Sequence, residues 1–262
     1  MFRRWLRLLS FSALLLSPAC VQESPLQDRP DRLTIAAASS LRPAVDSMIE
    51  IWNREHPSIP ARASYGASGV LYAQIGAEAP FDLFLSADDV YPRRVHENGR
   101  GDEPFQFAVG RLAVWTPETI DPVLELGDLT RPRFEKIAVA SPNLAPYGEA
   151  ALEALEGAGI YDGIKSRLLF AGNVMEAAHF AESGGAEAAL IPVSLVVSTG
   201  LGERGNHYLV PERLHDPVVH EGTILAGRKN REAAGLFVEL LLGPEGRSVL
   251  ETTGFSSERT ER

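Results

Sequence analysis

The sequence predicts an α/β fold with two lobes, and three observations lead to this prediction. Short apolar runs such as LTIAAA (33–38) and DLFLSA (82–87) are typical of buried strands. They alternate with segments whose apolar residues repeat at helical spacing, an order that produces mainly parallel sheets with helical crossovers. The chain has 262 residues, of which 45% are hydrophobic, so it can bury one large core or two modest ones.

The elements are predicted in two groups. The first group comprises strand 33–38, helix 41–55, strand 61–66, helix 70–75 and strand 82–87. The second begins with the extended apolar run FAVGRLAVW (107–115) and continues with strand 136–140, helix 147–157, helix 174–183 and strand 188–193. The run 220–227 is predicted to be extended, and helices 231–242 and 244–253 close the chain.

The N-terminus is typical of an export signal. Three arginines in the first seven residues precede an apolar stretch from Leu8 to Leu16. We expect residues 1–19 to be a signal peptide and residues 20–30, which are polar and contain proline, to be a tether. No apolar run after residue 20 approaches the ~20 residues that span a bilayer.

Cys20 is the only cysteine, which excludes a disulfide framework. It follows a small residue at the end of the apolar stretch, and this position resembles the lipid-modified cysteine of bacterial lipoproteins. Cys20 is therefore a candidate lipid anchor to a membrane. The alternative is cleavage after Ala19, which releases a free protein.

The charge of the chain excludes some classes of partner. The net charge is −10, and without residues 1–20 the balance is 22 basic against 35 acidic residues, or −13. A chain this acidic is a poor candidate for binding nucleic acid. Any anion site must be local, built from short-range hydrogen-bond donors rather than from a broad positive field.

Four segments share one design, in which a strand ends, a short polar turn follows and a helix begins. They are Ala38–Leu41, Gly66–Gly69, Ala145–Gly148 and Gly172–Glu176. Helix N-termini at the carboxyl ends of parallel strands carry unpaired N–H groups and partial positive charge. None of the four turns contains a basic residue. The pattern therefore favours a fully ionised oxyanion, which accepts hydrogen bonds and donates none.

Each turn taken alone is also compatible with ordinary structure. Ser40 is a plausible N-cap for the helix after it. Asn173 and Glu176 have the spacing of a capping box, so we expect the Glu176 carboxylate to fold back on its own helix start.

Six segments carry recognisable motifs in a fixed order. They read LTIAAASSL (33–41), YGASGVLYAQI (65–75), APFDLFLSAD (79–88), LAPYGEAALEAL (144–155), GNVMEAAHFAESGGAEAALIPVSL (172–195) and LLLGPEGRSVLETTGF (240–255). Together they resemble the periplasmic substrate-binding proteins of molybdate ABC transporters. The resemblance implies a type II periplasmic-binding-protein fold, with a cleft between two lobes and two hinge crossovers. It places lobe 1 at 31–110 plus 223–262 and lobe 2 at 111–222.

The resemblance also implies a function. The protein would capture molybdate or tungstate outside the cytoplasmic membrane and deliver it to an ABC permease. It would act as a monomer, without a cofactor and without catalysing a reaction.

The ligand site implied by the resemblance has two residues in each lobe. In lobe 1, Ser40 matches the serine that ends the first strand, and Ser68 matches the serine of the second turn. In lobe 2, Tyr147 and Val174 match the family positions, Val174 through its backbone N–H. All of these groups would bind the oxyanion by hydrogen bonds, without a direct bond from protein to metal.

Two departures from the family pattern affect the donor set. Ser39-Ser40 stands where Ala-Ser is commoner, so Ser39 is a further candidate donor, as is Ala67 beside the second turn. One branch of the family supplies a tyrosine hydroxyl near residue 193, where this chain has IPVS (191–194). We expect Tyr147 to replace that contact.

A serine hydrolase is the enzymatic alternative. Gly66-Ala67-Ser68-Gly69-Val70 nearly matches the nucleophile elbow G-x-S-x-G, but Val70 stands where the last glycine belongs. A triad built on Ser68 would need an acid and a downstream histidine. The histidines available downstream are His179, His207, His215 and His220.

Two further alternatives concern the ligand. Asp88-Asp89 and the six histidines lack the spacing of metal ligands, which disfavours a protein-held metal ion. Because one fold serves many ligands, a site for sulfate or a small organic anion stays open. Phosphate is disfavoured, since at neutral pH it keeps a proton that needs an acceptor.

Overall fold

The computed structural model describes residues 32–256. The predicted signal peptide, the tether and Cys20 lie outside the described residues. The described part of the chain contains ten strands: β1 (Leu33–Ala38), β2 (Ala61–Gly66), β3 (Leu83–Leu85), β4 (Phe105–Gly110), β5 (Leu112–Pro117), β6 (Ile137–Ala140), β7 (Leu168–Ala171), β8 (Ala188–Pro192), β9 (Gly205–Leu209) and β10 (Val218–Ile224).

Nine α-helices lie among these strands in the described residues. They are α1 (Arg42–Glu55), α2 (Ser68–Gly76), α3 (Val90–Glu97), α4 (Pro146–Gly157), α5 (Tyr161–Ile164), α6 (Val174–Glu182), α7 (Val193–Ser198), α8 (Arg231–Leu242) and α9 (Pro244–Thr252). A 3-10 helix, Ser39–Leu41, joins β1 to α1.

The strands form two five-stranded sheets of the same design. The first has the order β2-β1-β3-β10-β4, and the second has the order β7-β6-β8-β5-β9. In each sheet three parallel strands are followed by an antiparallel strand: β10 pairs with β3 and β4, and β5 pairs with β8 and β9. The predicted α/β fold with two lobes is confirmed.

The chain crosses between the sheets at two places. The run 107–115, predicted as one extended segment, divides at Arg111 into β4 of the first sheet and β5 of the second. The chain returns between β9 and β10. The expected lobe boundary after residue 222 is wrong by several residues, because all of Val218–Ile224 pairs with the first sheet.

The start of α1 also differs from the expectation. Ser40 is not an N-cap, because it lies inside the 3-10 helix, and neither this helix nor α1 has a side-chain cap. The capping prediction for α6 is correct in its main feature. The Asn173 side chain accepts from the N–H groups of Met175 and Glu176.

The core joins the two lobes. One hydrophobic cluster of buried residues extends from Trp52 on α1, in the first lobe, to Trp115 on β5, in the second. None of the described helices has both the length and the apolar character needed to cross a membrane.

Candidate anion-binding site

The four predicted turns meet where the lobes face each other. The Gly69 N–H, in the second turn, donates to the Leu144 carbonyl oxygen just before the third turn, at 3.0 Å. The Ser194 hydroxyl of the second lobe donates to the Ser40 carbonyl oxygen at 2.8 Å. Helix α6, which starts at Val174, contacts the 3-10 helix that contains Ser40. The structure therefore brings the predicted residues of both lobes to one interface.

All six predicted site residues are buried at this interface. Their side chains and backbones are between 1% and 4% exposed. The six are Ser39, Ser40, Ala67, Ser68, Tyr147 and Val174. Hydrogen bonds at such a place act in a low local dielectric, so donors there interact more strongly with a charge than donors in water do.

Several backbone N–H groups of the site have no hydrogen-bond acceptor within residues 32–256. These groups belong to Ser40, Ser68, Tyr147 and Val174. The cap of α6 explains the unpaired N–H of Val174. Asn173 Oδ1 accepts from the N–H groups of Met175 at 2.9 Å and Glu176 at 3.1 Å, which are the two residues after Val174. The cap thus leaves the first N–H of α6 available to a ligand.

The Glu176 carboxylate folds back on its own helix start, as expected. Its Oε2 accepts from the Gly172 N–H at 2.6 Å. In a capping box it would accept from the N–H of the N-cap residue, Asn173, which is one residue later. This carboxylate is therefore engaged at its own helix start.

Two side-chain hydroxyls add to the donor set. Ser68 Oγ accepts from the Ala87 N–H at 3.1 Å, which leaves the Ser68 proton free to donate elsewhere. The Tyr147 hydroxyl is buried and has no hydrogen-bond partner in the described residues. Burial raises the pKa of Tyr147, so the phenol is a neutral donor at pH 7.

The close approach of Tyr147 to the hinge requires a glycine. A Cβ placed on Gly110, at the end of β4, would lie 1.7 Å from the Tyr147 hydroxyl oxygen and 2.8 Å from His220 Cε1. A larger residue at position 110 would displace the phenol. Gly110 therefore allows Tyr147 to lie against the crossing from β4 to β5.

The Ser39 side chain joins two of the turns. Its hydroxyl donates to the Gly66 carbonyl oxygen at 3.3 Å, so it ties the first turn to the second. Ala67 is the N-cap residue of α2, and its carbonyl accepts from the Leu71 N–H at 3.1 Å.

His220 also belongs to this site, although its sequence context did not indicate it. His220 lies on β10, is fully buried, and places Nε2 3.5 Å from Ser40 Oγ. Its ring centroid is 5.8 Å from that of Tyr147. No local motif marks this residue, and the sequence suggested it only as one of four histidines available to Ser68. Within the described residues, the Ser68 hydroxyl makes no hydrogen bond to a histidine.

The surroundings of the interface are acidic. A crevice of about 170 Å³ between the lobes is lined by carboxylates of both, namely Asp88, Asp89, Glu149, Glu153 and Asp216. The described residues contain no cluster of three or more His, Cys, Asp or Glu side chains suited to a metal ion. An anion at this interface must therefore be held by neutral donors at short range.

Comparison with known proteins identifies the family. The model of the family described as bacterial extracellular solute-binding protein matches residues 33–256. The chain belongs to this family. The solute-binding protein is 32% identical over 196 residues to the molybdate-binding protein ModA of Azotobacter vinelandii. The aligned region covers 73% of this chain and 77% of the relative.

A second relative and a solved structure agree with this assignment. The solute-binding protein is 31% identical over 199 residues to ModA of Rhodobacter capsulatus, covering 74% and 77% of the two chains. Its fold matches the periplasmic molybdate-binding protein of Azotobacter vinelandii with a TM-score of 0.80, at 24% identity, over 87% of this chain and 100% of that one. The type II periplasmic-binding-protein fold is confirmed, as is the resemblance to molybdate-binding proteins. Membership of this family places the protein outside the cytoplasm.

Proposed function

We propose that this solute-binding protein captures molybdate or tungstate outside the cytoplasmic membrane and delivers it to an ABC permease. The relatives named as molybdate-binding proteins support the choice of ligand. The observation that carries the proposal is the set of buried hydrogen-bond donors at the lobe interface that have no acceptor within residues 32–256. Unpaired N–H groups on both lobes and the unpaired Tyr147 hydroxyl suit a ligand that only accepts.

The proposed site binds the anion between the lobes. Ser40 and Ser68 act from the first lobe, and Tyr147 and Val174 act from the second. Ser39 and Ala67 support the first two turns. All contacts go to the oxygens of the anion, so the protein makes no direct bond to molybdenum or tungsten. Closure of the lobes brings the two sets of donors together.

Sulfate or a small organic anion is the competing ligand, because the fold serves many solutes. Hydrogen phosphate fits less well, since it carries a proton and the one carboxylate of the four turns, Glu176, is bonded to the Gly172 N–H. A buried donor without an acceptor costs about 1–3 kcal/mol, and the proton of hydrogen phosphate would be such a donor among the donors of this site.

Calorimetric titration of the purified protein with molybdate, tungstate, sulfate and phosphate tests the proposal. We expect tight binding of molybdate and tungstate and weak binding of the other two. Tight binding of sulfate with none of molybdate would refute the choice of ligand. Turnover of an ester substrate that disappears in Ser68→Ala would refute the binding function in favour of the hydrolase alternative.

For the N-terminus we propose that Cys20 carries a lipid and that residues 20–30 link a monomeric two-lobed body to the membrane. The support comes from the sequence: a basic and apolar signal that ends in a small residue followed by cysteine. Growth of expressing cells with labelled palmitate should label the wild-type protein and leave Cys20→Ser unlabelled. An unlabelled wild-type protein in the culture supernatant or periplasm would refute the anchor.

A further inference from the structure

His220 occupies an unusual position on its strand. The pairing of β10 with β4 shifts register between His220 and Glu221, as a β-bulge does, and bulges re-aim side chains. Both side chains are buried, yet they have different partners. Glu221 Oε1 accepts from Arg93 at 3.1 Å, whereas His220 faces the site.

The hydrogen bonds of the ring determine its tautomer. His220 Nδ1 lies 3.0 Å from the Val218 carbonyl oxygen. Since a carbonyl oxygen only accepts, Nδ1 carries a proton and donates it. In the neutral ring Nε2 is then an acceptor, and the group that it faces is the Ser40 hydroxyl, at 3.5 Å. The Ser40 proton therefore points at His220.

In the proposed site the Ser40 hydroxyl is a second donor beside the Ser40 backbone N–H, and a bond from this hydroxyl to His220 conflicts with that part. A serine hydroxyl has one proton, so it cannot donate to His220 and to an anion at the same time. If the hydroxyl turned to the anion while the ring stayed neutral, the buried Nε2 would face the lone pairs of Ser40 Oγ and lose its donor. An orphaned buried acceptor is unfavourable.

We propose that His220 takes up one proton from solvent when a tetrahedral dianion binds beside Ser40. The proton enters at Nε2, and the new Nε2–H donates to Ser40 Oγ. The Ser40 hydroxyl then donates to the anion, and Nδ1–H keeps its bond to Val218. His220 thereby positions the Ser40 donor and adds one positive charge to the site. The inference rests on the proposed function and specifies how the same site selects a dianion.

The surroundings of the ring make its protonation depend on the ligand. Phe107 from β4, Tyr147 from α4 and Phe255 after α9 face it with ring centroids 6.0, 5.8 and 5.2 Å away. Among these groups and Ser40, only the Tyr147 phenol titrates, and burial keeps it neutral by raising its pKa.

The neighbouring Glu221 carboxylate pairs through Oε1 with Arg93 at 3.1 Å, and its Oε2 is buried without a hydrogen-bond partner in the described residues. Burial lowers the pKa of His220 to about 4, which leaves the ring neutral at pH 7. A dianion in contact with Ser40 supplies the opposite charge that favours the protonated ring.

Calorimetric titration with molybdate at pH 7 in two buffers of different ionisation enthalpy tests the proposal in the wild-type protein. We expect net proton uptake on binding, which grows toward one proton for each anion bound as pH falls. Affinity should rise as pH falls from 8 to 6, by up to about tenfold per pH unit for one linked proton. Perrhenate, which has the same shape and a single negative charge, should cause less uptake.

Matched variants assign the proton to this residue. His220→Gln, which cannot titrate, should bind molybdate with no proton uptake and with a flattened pH profile. His215→Gln is the control. His215 is also buried, and its Nδ1 also bonds to a backbone carbonyl oxygen, that of Asp216. Within the described residues, however, His215 makes no hydrogen bond to Ser40. The His215→Gln variant should take up protons on molybdate binding as the wild type does.

Nitrogen NMR of the wild-type protein gives a reading that does not depend on a variant folding. With molybdate, His220 Nε2 should change from an acceptor-type to a donor-type chemical shift. Molybdate binding without proton uptake and with an unchanged Nε2 signal would overturn the inference and leave the proposed function standing. Failure of molybdate to bind would instead overturn the proposed function.

Discussion

The N–H of Val174 can be removed without other change to the helix that carries it. Val174 is the first residue of α6, and proline is favoured at this position because its missing N–H makes no bond within the helix. The preceding Asn173 is extended, with φ −162° and ψ 175°, which a following proline tolerates. The chain already uses proline at the first position of α4 and α9. Val174→Pro therefore tests a single backbone donor.

The expected loss follows from the chemistry of that donor. A hydrogen bond to a charged partner contributes about 1.5–3 kcal/mol, and 1.4 kcal/mol corresponds to a factor of ten in Kd. Val174→Pro should therefore weaken molybdate binding about 10- to 150-fold, measured by calorimetric titration.

Val174→Ala is the matched control, since it shortens the same buried side chain and keeps the N–H. It should bind nearly as tightly as the wild type. Thermal unfolding of both variants without ligand establishes that α6 is intact. If Val174→Pro unfolds at the temperature of Val174→Ala and binds molybdate as the wild type does, then the Val174 N–H is not a ligand and the site is wrongly placed.

Four further predictions concern closure, donor balance and stability. Tyr147→Phe removes a buried hydroxyl that has no partner, so the ligand-free protein should unfold at the same or a higher temperature while calorimetry shows weaker molybdate binding. Gly69→Ala places a Cβ 2.7 Å from the Tyr91 hydroxyl oxygen and 3.2 Å from the Leu144 carbonyl oxygen across the interface, so both must shift and calorimetry should show weaker molybdate binding. Burial raises the pKa of Asp88 from 3.8 to about 6, so ionisation of this carboxyl in the folded protein lowers stability as pH rises through that range. Asp88→Asn should therefore raise the unfolding temperature at pH 7, and this gain should vanish near pH 4. Gly235→Ala, within α8 and with no atom within 4 Å of the new Cβ, should stabilise the protein by about 0.5–1 kcal/mol in urea unfolding.

Segments with strong local patterns were predicted well. The strands Leu33–Ala38 and Ala61–Gly66 and the helix Arg231–Leu242 occupy the predicted residues. Their periodicity and flanking residues determine them, and these are local properties. Elements without such a pattern were missed, including α3 and α7.

The hinge shows why a local pattern is not sufficient. The run 107–115 is apolar throughout, and nothing within it marks Arg111 as the point where the chain leaves one sheet for the other. The strand Val218–Ile224 begins earlier than predicted because its partners in β3 and β4 extend its ladder. Sheet membership depends on strands far away in sequence.

Three features follow from local sequence alone: the α/β class, the helix starts that expose N–H groups, and the Asn173 cap that leaves out the Val174 N–H. Each of these depends on residues within a few positions of one another. Tertiary packing buries the Tyr147 hydroxyl without a partner among residues 32–256 and places Ser40 against His220. Ser40 and His220 are 180 positions apart, and packing of β10 between β3 and β4 brings them together. The hydrogen-bond partner and the pKa of a buried group are set by such distant neighbours, which local sequence patterns do not encode.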